Sequence, residues 1–245
     1  MAGVFVTGTG TEVGKTVVAA VIARTLAAEG RTVAVFKPAV TGLDELTADG
    51  PKPSDIRTVS AHRPDHEILR HAAGSNQSDE EIAPYRYGPP ASPHLAAKLA
   101  GEEIDPARLV AAARAAAAGA DALVCEGVGG LLVPLAWRLS RPIDEKVARP
   151  YLVRDLAVDL GMPVVVAASP GLGTINHTLL TVEAARAAGL TVAVVVLTPW
   201  PARPSQIERS NRETIETLAR VRVETLPRLD LADPGSWPAL LPPPA

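Results

Sequence analysis

The chain has 245 residues, of which 47% are hydrophobic and 21% are charged, and its net charge is −3 at pH 7. This length and composition allow a full buried core and fit one large α/β domain over residues 1–245. The slight negative charge and an aromatic content of 3% argue against a nucleic-acid partner. Cys125 is the only cysteine, so we expect no disulfide framework and a reduced, cytoplasmic setting.

We expect neither a signal peptide nor a membrane partner. The first apolar run, residues 4–6, ends at Thr7 and Gly8 and follows no basic segment. No apolar run in the sequence reaches the roughly 18 residues that a membrane-spanning helix needs.

Short valine-rich runs alternate along the chain with longer, alanine-rich amphipathic segments. The runs are continuous rather than alternating, which is typical of parallel strands covered on both faces. The predicted strands are residues 3–8, 32–38, 122–127, 163–169, 191–198 and 221–227. The predicted helices are residues 14–29, 92–100, 105–119, 151–160, 174–188 and 204–219. This alternation predicts a doubly wound, mostly parallel α/β sheet in a single domain, with ligands beyond the carboxyl ends of the strands.

Four segments fall outside this alternation. The connections at about 37–54 and 127–149 are long, and loops of that length are usually functional or mobile. The segment at about 62–80 and the proline-rich tail at about 236–245 are expected to be irregular.

The stretch VTGTGTEVGKTV, residues 6–17, lies between the first predicted strand and the first predicted helix. A phosphate-binding loop requires a turn whose N–H groups face one anion at a helix N-terminus. Thr9 stands where the strict motif has glycine, so the loop is one residue longer, but every working part is present. These parts are glycines for the turn, a lysine for the β- and γ-phosphates and a hydroxyl for Mg²⁺: Gly8, Gly10, Gly14, Lys15 and Thr16. The pattern predicts a sheet of the P-loop NTPase type and is too specific for an ordinary glycine-rich turn.

Charged residues at two other strand ends are candidates for the same site. Glu126 ends the run ALVCEG and is followed by glycines that would allow a phosphate to approach. For a second acid, the residues alone do not rank Asp44, Asp49 and Asp55. Lys37 ends the second strand. The sequence favours equally a lysine that points into the nucleotide site and a surface lysine whose ammonium extends into solvent.

Two further features favour structural interpretations. His62, His66 and His71 have a spacing that resembles a metal site, but a solvated helix or loop is the favoured interpretation. Cys125 lies inside a predicted strand, which indicates an inert core residue.

Six separated motifs carry a family resemblance. TGTGTEVGKT, KPAVTG, SDI, ASPH, EGVGG and GLGTINHTLLT occur in this order over roughly residues 3–230. Together they resemble the dethiobiotin synthetases, whose P-loop has the same extra residue. The resemblance implies an ATP-dependent cyclo-ligase with ATP as co-substrate and Mg²⁺ as cofactor. In that family 7,8-diaminononanoate takes up CO₂ as a carbamate, ATP phosphorylates the carbamate, and the second amine closes a cyclic urea.

The resemblance also implies roles for individual residues. Lys37 would be catalytic with Lys15 beside it, and Thr11 and Thr41 would contact the carbamate end of the substrate. Mg²⁺ would be held by Thr16, Asp55 and Glu126. The substrate tail would bind Gly173, Thr174 and Asn176 of a second subunit, so a homodimer with shared active sites is expected. The nucleotide would contact three groups of residues: Glu12, Val13, Gly14, Lys15, Thr16 and Val17 around the phosphates; Asp55, Glu126, Gly127, Val128 and Gly129 beside them; and Thr198, Pro199, Pro227, Arg228 and Leu229 at the base.

The base end departs from the family pattern, and two other functions remain as alternatives. Some family members have Asn-Asp where this chain has Thr198 and Pro199, so base recognition would fall to backbone groups. One alternative is another P-loop synthetase, such as a cobyrinate amidating enzyme, but this chain has one cysteine and no room for a glutaminase domain. The other is a partitioning-class ATPase switch, which would carry an extra P-loop lysine where Gly10 stands.

Overall fold

A computed structural model describes residues 2–44, 63–138 and 149–241. Within these ranges the strands are β1 (Gly3–Gly8), β2 (Val33–Phe36), β3 (Ala122–Gly130), β4 (Pro134–Arg138), β5 (Arg149–Leu152), β6 (Val164–Ala168), β7 (Val192–Trp200) and β8 (Val223–Pro227). Six of them form one sheet in the order β2-β3-β1-β6-β7-β8, and every neighbouring pair is parallel. The predicted doubly wound sheet is confirmed.

Helices cover both faces of this sheet. They are α1 (Lys15–Ala28), α2 (Asp65–Ala73), α3 (Asp79–Ile82), α4 (Pro93–Leu99), α5 (Pro106–Ala117), α6 (Val153–Leu160), α7 (Thr174–Ala187) and α8 (Gln206–Ala219). Successive residues of β1 serve the two faces: Phe5 packs in one core cluster, and Val4 and Val6 pack in the other. Apolar residues of α1, α2 and α3 complete the second cluster, and those of α4 to α8 complete the first.

The segment at about 62–80, predicted to be irregular, contains helices α2 and α3, so that prediction was wrong. In α2 the residues Leu69, Ala72 and Ala73 are buried at helical spacing, and Gly74 ends the helix in the left-handed conformation. In α3 the Ser78 hydroxyl accepts from the Glu81 N–H, and the Glu81 side chain accepts from the Ser78 N–H. This capping box is visible in the sequence SDEE and was overlooked.

The described part of the connection predicted at about 127–149 contains strand structure. Strand β3 continues to Gly130, and β4 pairs antiparallel with β5 in a separate two-stranded sheet.

The described part of the proline-rich tail lies against α1, where the Leu240 N–H donates to the Thr25 hydroxyl at 3.1 Å. In the described part of the chain, no helix is long and apolar enough to cross a lipid bilayer.

Candidate active site

The turn between β1 and α1 has the geometry of a phosphate-binding loop. Gly14 precedes α1 with a φ of 87°, and a Cβ there would lie 2.5 Å from Cγ2 of Thr198, so only glycine fits this position. The Thr9 N–H donates to the Ala167 carbonyl at 3.0 Å, which ties the turn to β6. Lys15 Nζ donates to the Gly10 carbonyl at 2.7 Å and closes the turn over the N-terminus of α1. The first N–H groups of an α-helix have no partner within the helix, so an anion is favoured at the N-terminus of α1.

A cluster of four charged or hydroxyl groups lies beside this turn. Lys37 Nζ is 2.8 Å from Asp65 Oδ2 and 2.8 Å from Glu126 Oε1. The Thr16 hydroxyl is 2.8 Å from Glu126 Oε1 and 3.1 Å from Asp65 Oδ1. Lys37 is 3% exposed, so the interpretation of Lys37 as an extended surface lysine does not hold.

Burial and charge act against each other in this cluster. Burial disfavours the charge of Lys37, but the carboxylates of Asp65 and Glu126 outweigh it and raise the pKa of that lysine. Burial lowers the pKa of Lys15 and raises the pKa of Glu126. Burial also opposes the charge of Asp65, but Lys37 outweighs it and lowers the pKa of Asp65. Two lysines and two carboxylates thus lie together in a site that is buried except at Asp65, whose side chain is 42% exposed.

Sequence reasoning missed Asp65. This residue is the first of α2, directly after Pro64, and the helix start places its carboxylate opposite Glu126. The available signal was an acidic residue after a proline, followed by apolar residues at helical spacing. Asp55 and Asp49 lie outside the described residues. Asp44 is described, and its carboxylate packs against Gly88.

A cavity of about 780 Å³ opens next to the cluster. Six of the residues predicted for the site line it: Thr11, Glu12, Thr16, Thr41, Val128 and Gly129. Thr41 is held by backbone bonds between its segment and residues 85–89, including Gly42 N–H to the Pro89 carbonyl at 3.1 Å and Leu43 N–H to the Tyr87 carbonyl at 3.2 Å. Arg63, Asp65 and Leu231 also line the cavity and were not predicted.

The glycines after Glu126 do not share one role. A Cβ at Gly127 would lie 2.9 Å from Phe5 Cε1 and 2.9 Å from Val153 Cγ1, so the core packing at this position requires glycine. Gly129 has a φ of 62° and lies near Thr11, since a Cβ there would be 3.9 Å from Thr11 Oγ1. Gly129 is therefore the glycine of this group that faces the cavity.

The residues predicted to bind the base lie at the ends of β7 and β8. Thr198 is buried against Gly14 and precedes Pro199 through a cis peptide bond. Pro227 ends β8 and pairs with Trp200 of β7. Arg228 is exposed, while Leu229 packs against the second core cluster.

The residues predicted for the substrate tail lie at the start of α7. Gly173 precedes the helix with a φ of 91°, and Asn176 points to solvent. Thr174 is buried, with its hydroxyl 3.4 Å from that of Thr178. None of the three lines the cavity described above.

The histidines form no metal site among the described residues, where no group of three acidic, histidine or cysteine side chains is arranged to hold a metal ion. His66 is buried in α2 with Nε2 at 3.7 Å from Asp79, so the solvated position expected for it was wrong. His71 is exposed on the same helix, and His62 lies outside the described residues. Cys125 is fully buried, and burial raises the pKa of its thiol well above the usual value.

Comparison with known proteins identifies the family. A family model described as an AAA domain matches residues 2–233. The ATP-dependent dethiobiotin synthetase BioD of Anaeromyxobacter dehalogenans strain 2CP-1 is 45% identical over 80% of this chain and 76% of the relative. The enzyme of the same name from Bacillus subtilis strain 168 is 32% identical over 91% of this chain and 85% of the relative. The chain belongs to the dethiobiotin synthetase family. The family and the enzyme class predicted from the motifs, an ATP-dependent ligase of biotin biosynthesis, are confirmed.

A solved structure supports the fold. The septum site-determining protein MinD of Pyrococcus horikoshii, complexed with Mg-ADP, matches with a TM-score of 0.50 and 15% identity, over 93% of this chain and 82% of that one. This likeness concerns the fold alone and confirms the predicted P-loop NTPase type. The family match decides against both alternatives raised from the sequence, the cobyrinate amidating enzyme and the partitioning-class switch.

Proposed function

We propose that this chain forms dethiobiotin from 7,8-diaminononanoate, CO₂ and ATP through a carbamate and a carbamic-phosphoric anhydride. One amine adds to CO₂ and loses a proton, giving a carbamate. A carbamate oxygen attacks the γ-phosphorus of ATP, and ADP leaves. The second amine then attacks the carbamate carbon, closing the cyclic urea and releasing phosphate.

The observation that carries this proposal is the position of Lys37. Its ammonium lies 2.8 Å from the carboxylates of both Asp65 and Glu126, next to the phosphate-binding turn and the cavity. Transfer of a phosphoryl group to a carbamate brings two anions together, and fixed positive charge in a water-poor site lowers that barrier. In our proposal Lys37 acts on the transferring group, and Lys15 acts on the β- and γ-phosphates.

The oxygen atoms beside Thr16 fit a magnesium ion. Thr16, Asp65 and Glu126 offer the hard oxygen ligands that Mg²⁺ prefers. Glu126 Oε2 is buried and has no hydrogen-bond partner among the described residues, so it is available as a ligand. Mg²⁺ would supply neutralisation of the phosphate charge. Asp55 remains a proposed ligand from the family motif and lies outside the described residues.

The remaining contacts are proposed from position and from the family. Thr11 and Thr41 line the cavity and offer hydroxyls to the carbamate. Residues 12–17 wrap the triphosphate. Gly173, Thr174 and Asn176 lie outside the cavity of their own subunit, which agrees with their holding the substrate tail of a second subunit.

The activity is tested by phosphate release from ATP, Mg²⁺ and bicarbonate, measured with and without 7,8-diaminononanoate. We expect hydrolysis to require both the diamine and CO₂, because the carbamate is the acceptor of the γ-phosphoryl group. Equal hydrolysis without the diamine would contradict a synthetase and indicate a switch ATPase.

The shared site is tested by mixing two inactive variants, Lys37→Ala and Asn176→Ala. A mixed dimer retains one intact site of two, so random exchange should restore up to about a quarter of wild-type activity. Each variant mixed with itself is the control. A fully active monomer in sedimentation would rule out the shared site.

A further inference from the structure

Asn211 is a buried polar residue of α8 for which the reaction described above gives no role. It is 7% exposed, and its Nδ2 donates to two carbonyls of another element, Pro170 at 2.9 Å and Gly171 at 3.1 Å. Both amide protons are thereby used. The other buried residues of α8, Ile215 and Ala219, pack in the apolar core. A buried amide on this face costs desolvation unless its partners are fixed, which indicates that the partners matter.

The two carbonyls belong to the turn that leads into α7. Gly171 also accepts the Thr174 N–H at 3.3 Å, and Gly173 takes the left-handed conformation before the helix starts. Leu172, between them, is 95% exposed and contributes no packing to hold the turn. The side-chain amide of Asn211 is therefore a principal anchor of the turn from outside α7.

We propose that Asn211 is a positioning residue that fixes the N-terminal amides of α7 for the carboxylate of the substrate tail. This inference rests on the proposed function, in which Gly173, Thr174 and Asn176 hold that carboxylate. The start of α7 has no lysine or arginine near it in sequence, from Ser169 to Leu179, so the anion depends on the direction of backbone N–H groups. A displacement of about 1 Å in such a site can lower the rate or affinity by about 100-fold.

The test compares two variants with two controls. Asn211→Ala removes both donors, and Asn211→Asp keeps the shape but sets a carboxylate against two carbonyl oxygens. Asn76→Ala removes an exposed asparagine, and Ile215→Val loosens the core of the same helix without touching the turn. Steady-state rates are measured against the diamine and against ATP for each variant.

We expect the KM for the diamine to rise about 10-fold or more in both Asn211 variants, with kcat and the KM for ATP within about twofold of wild type. We expect the controls to keep all three constants within about twofold. A diamine KM that stays within twofold in both Asn211 variants would overturn the proposal. So would equal increases of both KM values, or an equal increase in Ile215→Val, since either would indicate general loosening.

Hydrogen exchange provides a readout that does not depend on activity. Amides of residues 171–178 should exchange faster in both Asn211 variants, while those of β6 stay protected. Unchanged exchange in this segment would overturn the proposal, as would failure of both variants to fold while Ile215→Val folds. If the wild-type protein shows no diamine-dependent phosphate release, the proposed function fails, and the exchange data still decide whether Asn211 holds the turn.

Discussion

The turn between β1 and α1 and the turn between β6 and α7 have the same backbone plan. Each follows a buried parallel strand, passes through a left-handed glycine with φ of 87° or 91°, and starts a helix of 14 residues. Their surroundings differ. The first turn has Lys15 at its end and the Lys37 cluster beside it, while the second has no lysine or arginine from Ser169 to Leu179.

This difference shows that the backbone plan alone does not decide which anion is bound. Helix N-terminal amides offer partial charge to any anion, but a triphosphate with several charges needs full positive charges as well. The first turn has them within its own subunit. The second turn has no lysine or arginine from Ser169 to Leu179, which agrees with the single carboxylate proposed for it.

The largest effect is expected from removing the lysines of the charged turn, which is the turn between β1 and α1 with Lys15 and Lys37. The effect is a loss of turnover. Lys37→Ala should lower kcat by about 10³-fold and leave ATP affinity within a few-fold, because Lys37 acts on the transferring group. Lys15→Ala should weaken both. Turnover and calorimetric ATP binding provide the measurement, and the exposed Lys98→Ala is the control. Near-normal turnover in Lys37→Ala would remove its catalytic role.

Asp65, from the structure, and Asp55, from the family motif, are two alternative proposals for the second acidic ligand of Mg²⁺. Asp65→Asn should lower turnover by about 100-fold and weaken the apparent affinity for Mg²⁺, since it lies opposite Glu126. Asp55→Asn should change both by less than about threefold if Asp65 is the ligand. Magnesium titrations of turnover and Mn²⁺ binding by electron paramagnetic resonance distinguish them. The reverse order of effects would restore the assignment made from the SDI motif.

Nucleotide preference tests how much binding the charged turn provides. Thr198 and Pro199 offer no amide or carboxylate to a base, and loose backbone contacts discriminate by only about 10-fold. We therefore expect CTP, GTP or UTP to work within about 100-fold of ATP in kcat/KM. Turnover with the four nucleotides at one Mg²⁺ and bicarbonate concentration checks this. A preference for ATP of three orders of magnitude would show that the backbone near 198–199 and 227–229 reads the base.

Alanine substitutions of Gly14 and Gly173, the glycines that precede the two helices, should lower the free energy of unfolding by different amounts. Gly173→Ala should cost about 1 kcal/mol, because its Cβ meets only left-handed strain, with the nearest atom, His177 Cε1, at 3.8 Å. Gly14→Ala adds a clash with Thr198 Cγ2 at 2.5 Å and should cost about 2–4 kcal/mol. Thr198→Ala should recover about 1 kcal/mol of the difference in a double-mutant cycle followed by urea unfolding. Equal costs at the two glycines would contradict the packing described here.

The sequence predicted most of the sheet because its strands are short, continuous valine-rich runs, and these runs and their flanking glycines are local signals. Residues 3–8 were predicted and observed as β1, and 206–219 lie within the predicted 204–219. Asp65 was missed because its place in the site depends on the packing of α2 against α1 and β2, which is a tertiary contact. The close packing of Gly127 was not predicted for a similar reason: its neighbour Phe5 is distant in sequence. No local sequence pattern predicts that Asn211 contacts the turn before α7.

The sheet order has a consequence for how the chain folds as it is made. Strand β1 ends at Gly8, but its two neighbours are β3, which begins at Ala122, and β6, which begins at Val164. At synthesis rates of roughly 5–20 residues per second, the strand that leads into the P-loop waits on the order of ten seconds for its second neighbour. Closing such long separations before any pairing is gained is slow. ATP stabilises only the assembled site, so it cannot guide the early stages and acts only after β3 and β6 have docked on β1.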